Sequence, residues 1–337
     1  MYRVLIIAFL STLFLSSCFK EDEMVEPHIP GSVLTAVIPM TQYYSKQVYF
    51  SLQNEEIVSS NNRSVFDLNF SCNDTLNLIR LNTSNFAVAA KTPFTKLEDV
   101  TDTTGLNWKF DPSNGNYDSL AISNWMEIFD GDTLFENNVW VINRGVNEIG
   151  ISLGLKKIQF TGLKANSYFF TYSNLDNSER VEAVVEKNDD YSFIQYSMGD
   201  EMQLFLEPKI TDWDLLFTQY TTMLITDEGE PYPYLLTGVL QNKGVTSVAF
   251  DTTLQFESIK LADTLRFAFS DALDKVGYNW KELIGDVNTG DVYYQIKLNY
   301  NYIIKSANSY YYKVRFINFY DPLTGEKGYP TFEYQRL

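Results

Sequence analysis

Residues 310–337, YYYKVRFINFYDPLTGEKGYPTFEYQRL, restrict the fold more than any other stretch of this 337-residue chain. Tyr312, Val314, Phe316 and Asn318 alternate with Lys313, Arg315 and Ile317. A period of two sends one set of side chains inward and the other outward, as in a strand with one buried face. Asp321-Pro322-Leu323-Thr324-Gly325 is turn chemistry, because proline fixes φ and glycine tolerates positive φ. A second run, 331–334, follows, so the chain is expected to close on a β-hairpin. A weaker copy at 155–163 and 169–172 leads us to expect the same β-unit twice.

Other echoes recur in the same order. Tyr49-Phe50-Ser51-Leu52 is answered by Gln195-Tyr196-Ser197-Met198. Ser64-Val65-Phe66-Asp67-Leu68-Asn69-Phe70 is answered by Thr211-Asp212-Trp213-Asp214-Leu215-Leu216-Phe217. Gly105-Leu106-Asn107-Trp108-Lys109 returns as Gly277-Tyr278-Asn279-Trp280-Lys281, and Val139-Trp140-Val141-Ile142 as Asn301-Tyr302-Ile303-Ile304. Each match alone is weak, but with the hairpins they form an ordered set, and the unit is far longer than a solenoid repeat. The expected architecture is all-β: two tandem antiparallel β-sandwich domains, 41–175 and 188–337, parted by the polar stretch that begins at Asn174. Trp213 is expected to pack inward beside edge-facing acids. Helix signals are few, and 261–273 fits a helix or a strand equally well.

The amino terminus carries an address. Residues 1–17 join Arg3 to an apolar run and then small residues, the pattern of a signal peptide, too short to remain as a membrane span. Leu15-Ser16-Ser17-Cys18 has the form of a bacterial lipobox, which makes Cys18 the expected acylated residue. Residues 18–40, acidic and containing Pro27, Pro30 and Gly31, are expected to tether the body to the outer membrane, facing the cell exterior.

Charge and residue types narrow the function. A net charge of −17 repels nucleic acid and anionic headgroups, so membrane attachment is expected through acyl chains rather than a basic patch. Cys72 is the one cysteine besides Cys18, which excludes a disulfide framework within one mature chain. The single histidine, His28, lies in the tether, so neither a histidine-based nucleophile system nor a histidine zinc site is expected. Asp286-Val287-Asn288-Thr289-Gly290-Asp291 reads as a polar hairpin loop lacking the rest of a calcium site. No enzyme is expected.

The second half resembles the HmuY family of haem-binding lipoproteins from Bacteroidetes. The resemblance rests on the strand at Tyr196, Asp212-Trp213-Asp214-Leu215-Leu216-Phe217-Thr218-Gln219-Tyr220, Trp280, Tyr302-Ile303-Ile304-Lys305, and the terminal hairpin. It implies an all-β protein that clamps haem between two axial His or Met ligands on loops at one end of its sheets. One such loop corresponds to 281–286, which holds neither residue; the other, after the Trp213 strand, offers Met223, Tyr232 and Tyr234. A bis-His or bis-Met pocket from those two loops is excluded. Tyrosinate also binds haem iron, so Tyr232, Tyr234 and Met223 are the candidate ligand-binding residues. The resemblance thus implies surface ligand capture, with haem or a related tetrapyrrole as cofactor or cargo and haem, a haemoprotein or an outer-membrane receptor as partner. The alternative is a non-catalytic adhesion or carbohydrate-binding lipoprotein whose aromatic rings stack on its target.

Overall fold

The structure, a computed structural model, describes residues 30–337 apart from 74, 130, 131, 287 and 288. The signal peptide 1–17, Cys18, His28 and the expected tether up to residue 29 lie outside the described residues, while 34–40, also expected as tether, pair with the closing strand and bury Ile38 and Met40 in a core. Four successive segments supply the strands. The first gives β1 (Leu34–Val37), β2 (Lys46–Ser51) and β3 (Glu56–Asn62). The second gives β4 (Leu68–Ser71), β5 (Ile79–Leu81), β6 (Val88–Lys91), β7 (Met126–Phe129), β8 (Asp132–Phe135), β9 (Val139–Asn143), β10 (Leu155–Lys164) and β11 (Ser167–Ser173). The third holds β12 (Val181–Glu186), β13 (Phe193–Ser197) and β14 (Met202–Leu204). The fourth runs through β15 (Leu215–Ile225), β16 (Pro231–Gln241), β17 (Ser247–Asp251), β18 (Lys281–Asp286), β19 (Asp291–Ile296), β20 (Asn301–Lys305), β21 (Tyr311–Tyr320) and β22 (Lys327–Arg336).

These strands build two cores, each from a five-stranded and a four-stranded antiparallel sheet. One core lies under β12-β11-β10-β9-β6 and β14-β13-β4-β5. The other lies under β1-β22-β21-β20-β17 and β16-β15-β2-β3. The sheets therefore do not divide at 175/188 as expected. The stretch beginning at Asn174 joins β11 to its neighbour β12 in one sheet, with Tyr172 opposite Val181. Within segment three, β13 and β14, assigned by sequence to the second domain, complete the first core: β13 pairs β4 with Gln195 opposite Asn69. Segment one reciprocates, with Phe50 of β2 opposite Leu215 of β15. Side chains follow the strands. Tyr196 meets Phe170 edge-on at 5.0 Å in the first core, and Phe50 meets Phe332 at 5.2 Å in the second. The two halves have exchanged their opening strands.

Two aspartates occupy equivalent positions in the exchange. The Asp67 N–H donates to Tyr196 O at 2.9 Å, and Met198 N–H donates to Asp67 Oδ2 at 2.7 Å. Asp214 repeats both bonds, donating to Phe50 O at 2.9 Å and accepting from Leu52 N–H at 2.8 Å. Each has an asparagine close by: Asn82 Nδ2 donates to Arg63 O and Phe66 O, and Asn242 Nδ2 to Ile210 O and Trp213 O. Asp214 is thus buried at the junction rather than edge-facing, while Trp213 packs inward as expected.

The closing hairpin forms, with two adjustments. Tyr312, Val314 and Phe316 are buried, but the register shifts after Phe316 and again after Asn318, so Phe319 becomes the next core residue. Asn318 Oδ1 accepts the Phe319 N–H at this irregularity, which is why the alternation predicted through Asn318 stops there. The face expected to be outward is covered. Lys313 is 2% exposed, and its Nζ donates to Phe256 O and Ile259 O of a short 3-10 turn. Lys157 does the same in the first core, donating to Val100 O beside the turn Leu97–Asp99. The segment at 261–273 is neither a long helix nor a strand; Leu261–Arg266 is a 3-10 helix.

Candidate functional site

The strand pair β15–β16 carries all three predicted ligand-binding residues. Both strands have 11 residues, yet only 215–217 of β15 pair with β2. The rest extends beyond the sheet. Glu230-Pro231-Tyr232-Pro233-Tyr234, expected as a loop, enters β16 at Pro231. Proline lacks an N–H, and β16 tolerates it because it is an edge strand.

Register decides which candidates can cooperate. Thr222 lies opposite Tyr234, Met223 opposite Pro233, and Leu224 opposite Tyr232. Directly opposed residues share a face and neighbours in sequence alternate. Tyr232 and Tyr234 therefore share one face, their rings edge-to-face at 6.2 Å. Met223 lies on the other. The structure brings the tyrosines together and separates them from the methionine, so one ligand cannot be sandwiched by Met223 and either tyrosine.

Met223 lines a cleft of about 750 Å³ along the edge of β15 beyond its pairing with β2. Its wall continues through Thr221 and Thr222 and is faced by Phe110, Pro112 and Leu120. Ser113 braces the rim: its Oγ lies 2.8 Å from Thr222 Oγ1 and donates to Asp274 Oδ2 at 2.6 Å. Asp111 anchors the facing loop, accepting from Leu81 N–H at 2.7 Å and Ala121 N–H at 2.8 Å. Burial pushes its carboxyl pKa up, against the pull of Arg80 and those two donors. The cleft volume lies in the range of small-molecule sites. A half-exposed thioether in it is a soft, neutral donor that needs no deprotonation.

On the tyrosine side the hairpin β18–β19 stands beside β16. Residues 281–286, expected as a ligand loop, are strand β18. Lys281 Nζ donates to Thr237 O of β16 at 2.5 Å, and the ammonium sits 4.4 Å from the Trp280 ring centroid and 5.0 Å from that of Phe319. Burial pushes its pKa down to about 7. Sequence reasoning missed this residue, because a lysine after a tryptophan looks like a surface charge. Next to it, Tyr294 N–H donates to Tyr320 Oη at 2.6 Å, and burial holds the phenols of Tyr44 and Tyr294 high. The buried tyrosines are thus poor sources of tyrosinate. Tyr232, Tyr234, Leu283, Val292 and Tyr293 remain exposed on the two hairpins. Among the described residues no group of three or more His, Cys, Asp or Glu side chains is placed to hold a metal ion.

Comparison with known proteins places this arrangement. Apo PinO from Porphyromonas gingivitis aligns over 91% of this chain and 97% of its own, at 10% identity and a TM-score of 0.29. The apo HmuY analog of Tannerella forsythia aligns over 92% and 98%, at 9% identity and a TM-score of 0.25. Global likeness at that level supports nothing further. No curated protein matches the chain. The profile of the family described as HmuY protein matches residues 43–334, spanning both cores and the exchanged strands β2, β3, β13 and β14. The chain belongs to the HmuY family.

Proposed function

We propose that this protein is a lipid-anchored, surface-displayed carrier that captures a flat apolar ligand, with haem or a related tetrapyrrole as first candidate. The observation that carries the reading is Met223, 51% exposed on the wall of a cleft of about 750 Å³ in a chain of the HmuY family. Phe110, Pro112 and Leu120 supply apolar cover and the thioether supplies a donor to iron, as in haem proteins with methionine ligation. Lys109 on the same wall offers a cation to a ligand carboxylate. Acylation at Cys18 would hold the body at the outer membrane, and a partner receptor or haemoprotein would supply or receive the cargo. Binding rather than catalysis is the role. Titration with haemin, read in the visible spectrum, tests the ligand: a saturable shifted Soret band supports the reading, and a spectrum identical to free haemin overturns it.

A second reading is favoured by Tyr232 and Tyr234, exposed rings that share one face of β15–β16. Rings held on rigid strands suit stacking on sugar or contact with a protein surface. Quenching of tryptophan fluorescence by glycans without any haemin spectrum would favour this adhesive or carbohydrate-binding role.

A further inference from the structure

Four buried polar atoms without a hydrogen-bond partner in the protein belong to residues that line a single chamber: Arg80 Nε, Glu207 Oε1, Trp213 Nε1 and Thr218 Oγ1. The chamber, about 90 Å³, lies where β4–β5 of one four-stranded sheet approach β15–β16 of the other, on the far side of β15–β16's inner half from the hairpin tip. It is separate from the Met223 cleft. Leaving a buried polar group unsatisfied costs about 1–3 kcal/mol, so four around one chamber need a common occupant. A single water requires only about 10–15 Å³, and the chamber is far larger. Phe66, the sequence echo of Trp213, also lines it and carries no polar atom. The polarity belongs to one repeat and is not a by-product of the shared fold.

The donors and acceptors define what fits. Arg80 Nε and Trp213 Nε1 only donate. Thr218 can do either. Glu207 is 8% exposed, and burial raises its pKa to about 8 despite Arg80 and hydrogen bonds from Ser192, so at neutral pH it carries a proton to donate. The other titratable groups near Glu207 and Arg80 are Tyr49, Cys72, Asp111 and Tyr117, with Lys243 on the chamber wall paired to Asp271. Three donors, one of them a guanidinium, face one hydroxyl. Ser192, Phe193 and Lys243 also line an adjoining cleft of about 440 Å³, which gives a way in.

We propose that this chamber binds a small hydroxycarboxylate of glycolate size, its carboxylate received by Arg80, Trp213 and Glu207 and its hydroxyl donated to Thr218 Oγ1. Ionised Glu207 would repel the anion.

The test is calorimetric titration of the full chain with sodium glycolate at pH 6.5 and pH 9, alongside the indole N–H resonance of Trp213, assigned by its loss in Trp213→Phe. The expected result is one saturable event at pH 6.5 that shifts this resonance. Affinity should fall roughly tenfold at pH 9, where about a tenth of Glu207 keeps its proton. Glu207→Gln, which keeps a neutral donor, should bind glycolate equally at both pH values. Acetate, lacking the hydroxyl, should bind more weakly, and neutral acetamide weakly with no pH dependence. An unmoved Trp213 resonance in the folded wild-type protein would mean that water fills the chamber. Equal affinity for glycolate and acetamide, or pH dependence surviving in Glu207→Gln, would also overturn the proposal.

Discussion

The N–H of Leu52 donates to the carboxylate of Asp214 at 2.8 Å, from the end of the first hairpin's opening strand to the start of β15. Met198 and Asp67 form the same bond at 2.7 Å in the opposite sense. Together these bonds tie each half's first strand to the other half's core. Asp214→Ala would leave the buried Leu52 N–H and the half-buried Ala307 N–H without their acceptor and should cost about 1–3 kcal/mol. Asp67→Ala should cost at least as much, since Arg144 Nε also donates to it at 2.7 Å. Chemical denaturation of each variant checks this.

The exchange changes which fragments fold. Residues 63–204 contain every strand of the first core in one continuous segment, whereas 188–337 lack β1–β3. The first fragment should unfold cooperatively in urea. The second should show no cooperative transition until a peptide covering 31–62 is added. A cooperative transition for 188–337 alone would mean that the strands need not be exchanged.

Much of this fold was legible in sequence, and the missing part has a physical cause. Period-two runs and turn residues announce the strands, and the Asp67 and Asp214 echoes mark equivalent positions. Yet Phe50 and Tyr196 sit in strands of the same pattern, so either satisfies either core. Pairing is chosen by how the connections run, which alternation does not record. The site was half legible for a similar reason. Pro231 and Pro233 disguise β16 as a loop, and without the register the parity that parts Met223 from Tyr232 and Tyr234 cannot be counted. Nothing local in the sequence singles out Glu207 or Lys281, because burial depends on distant segments.

Those two residues predict opposite pH effects. Glu207 has a folded pKa of about 8 against an ordinary 4.5, so the native state holds an extra proton between them. Its contribution is full below about pH 4.5 and lost as pH rises through about 8. Lys281 has a folded pKa of about 7 against 10.5, so the native state holds fewer protons in that window. Its contribution is present above about 10.5 and lost as pH falls through about 7. Glu207→Gln should remove the decline between pH 4.5 and 8, and Lys281→Met the rise between pH 7 and 10.5, in urea midpoints measured across pH.

Trp280 organises the second core next to the hairpins. It is fully buried and stacks on Phe316 at 4.1 Å. Trp280→Ala should cost about 3–5 kcal/mol and release Lys281 from its aromatic surroundings. Trp280→Phe should recover much of the loss. Thermal unfolding of both variants, read against wild type, tests this.

The anchor has a simple test. Cys18→Ser should move the protein from the membrane fraction to the soluble fraction; unchanged fractionation would remove acylation at Cys18 from the account.

The most direct measurement is a haemin titration of wild type, Met223→Ala and the double variant Tyr232→Phe/Tyr234→Phe, followed by the Soret band in oxidised and reduced states. A saturable shifted band near one equivalent is expected, lost in Met223→Ala and kept in the tyrosine variant. Loss in the tyrosine variant alone would place the ligand on the other face of β15–β16. Wild type indistinguishable from free haemin would contradict tetrapyrrole capture altogether.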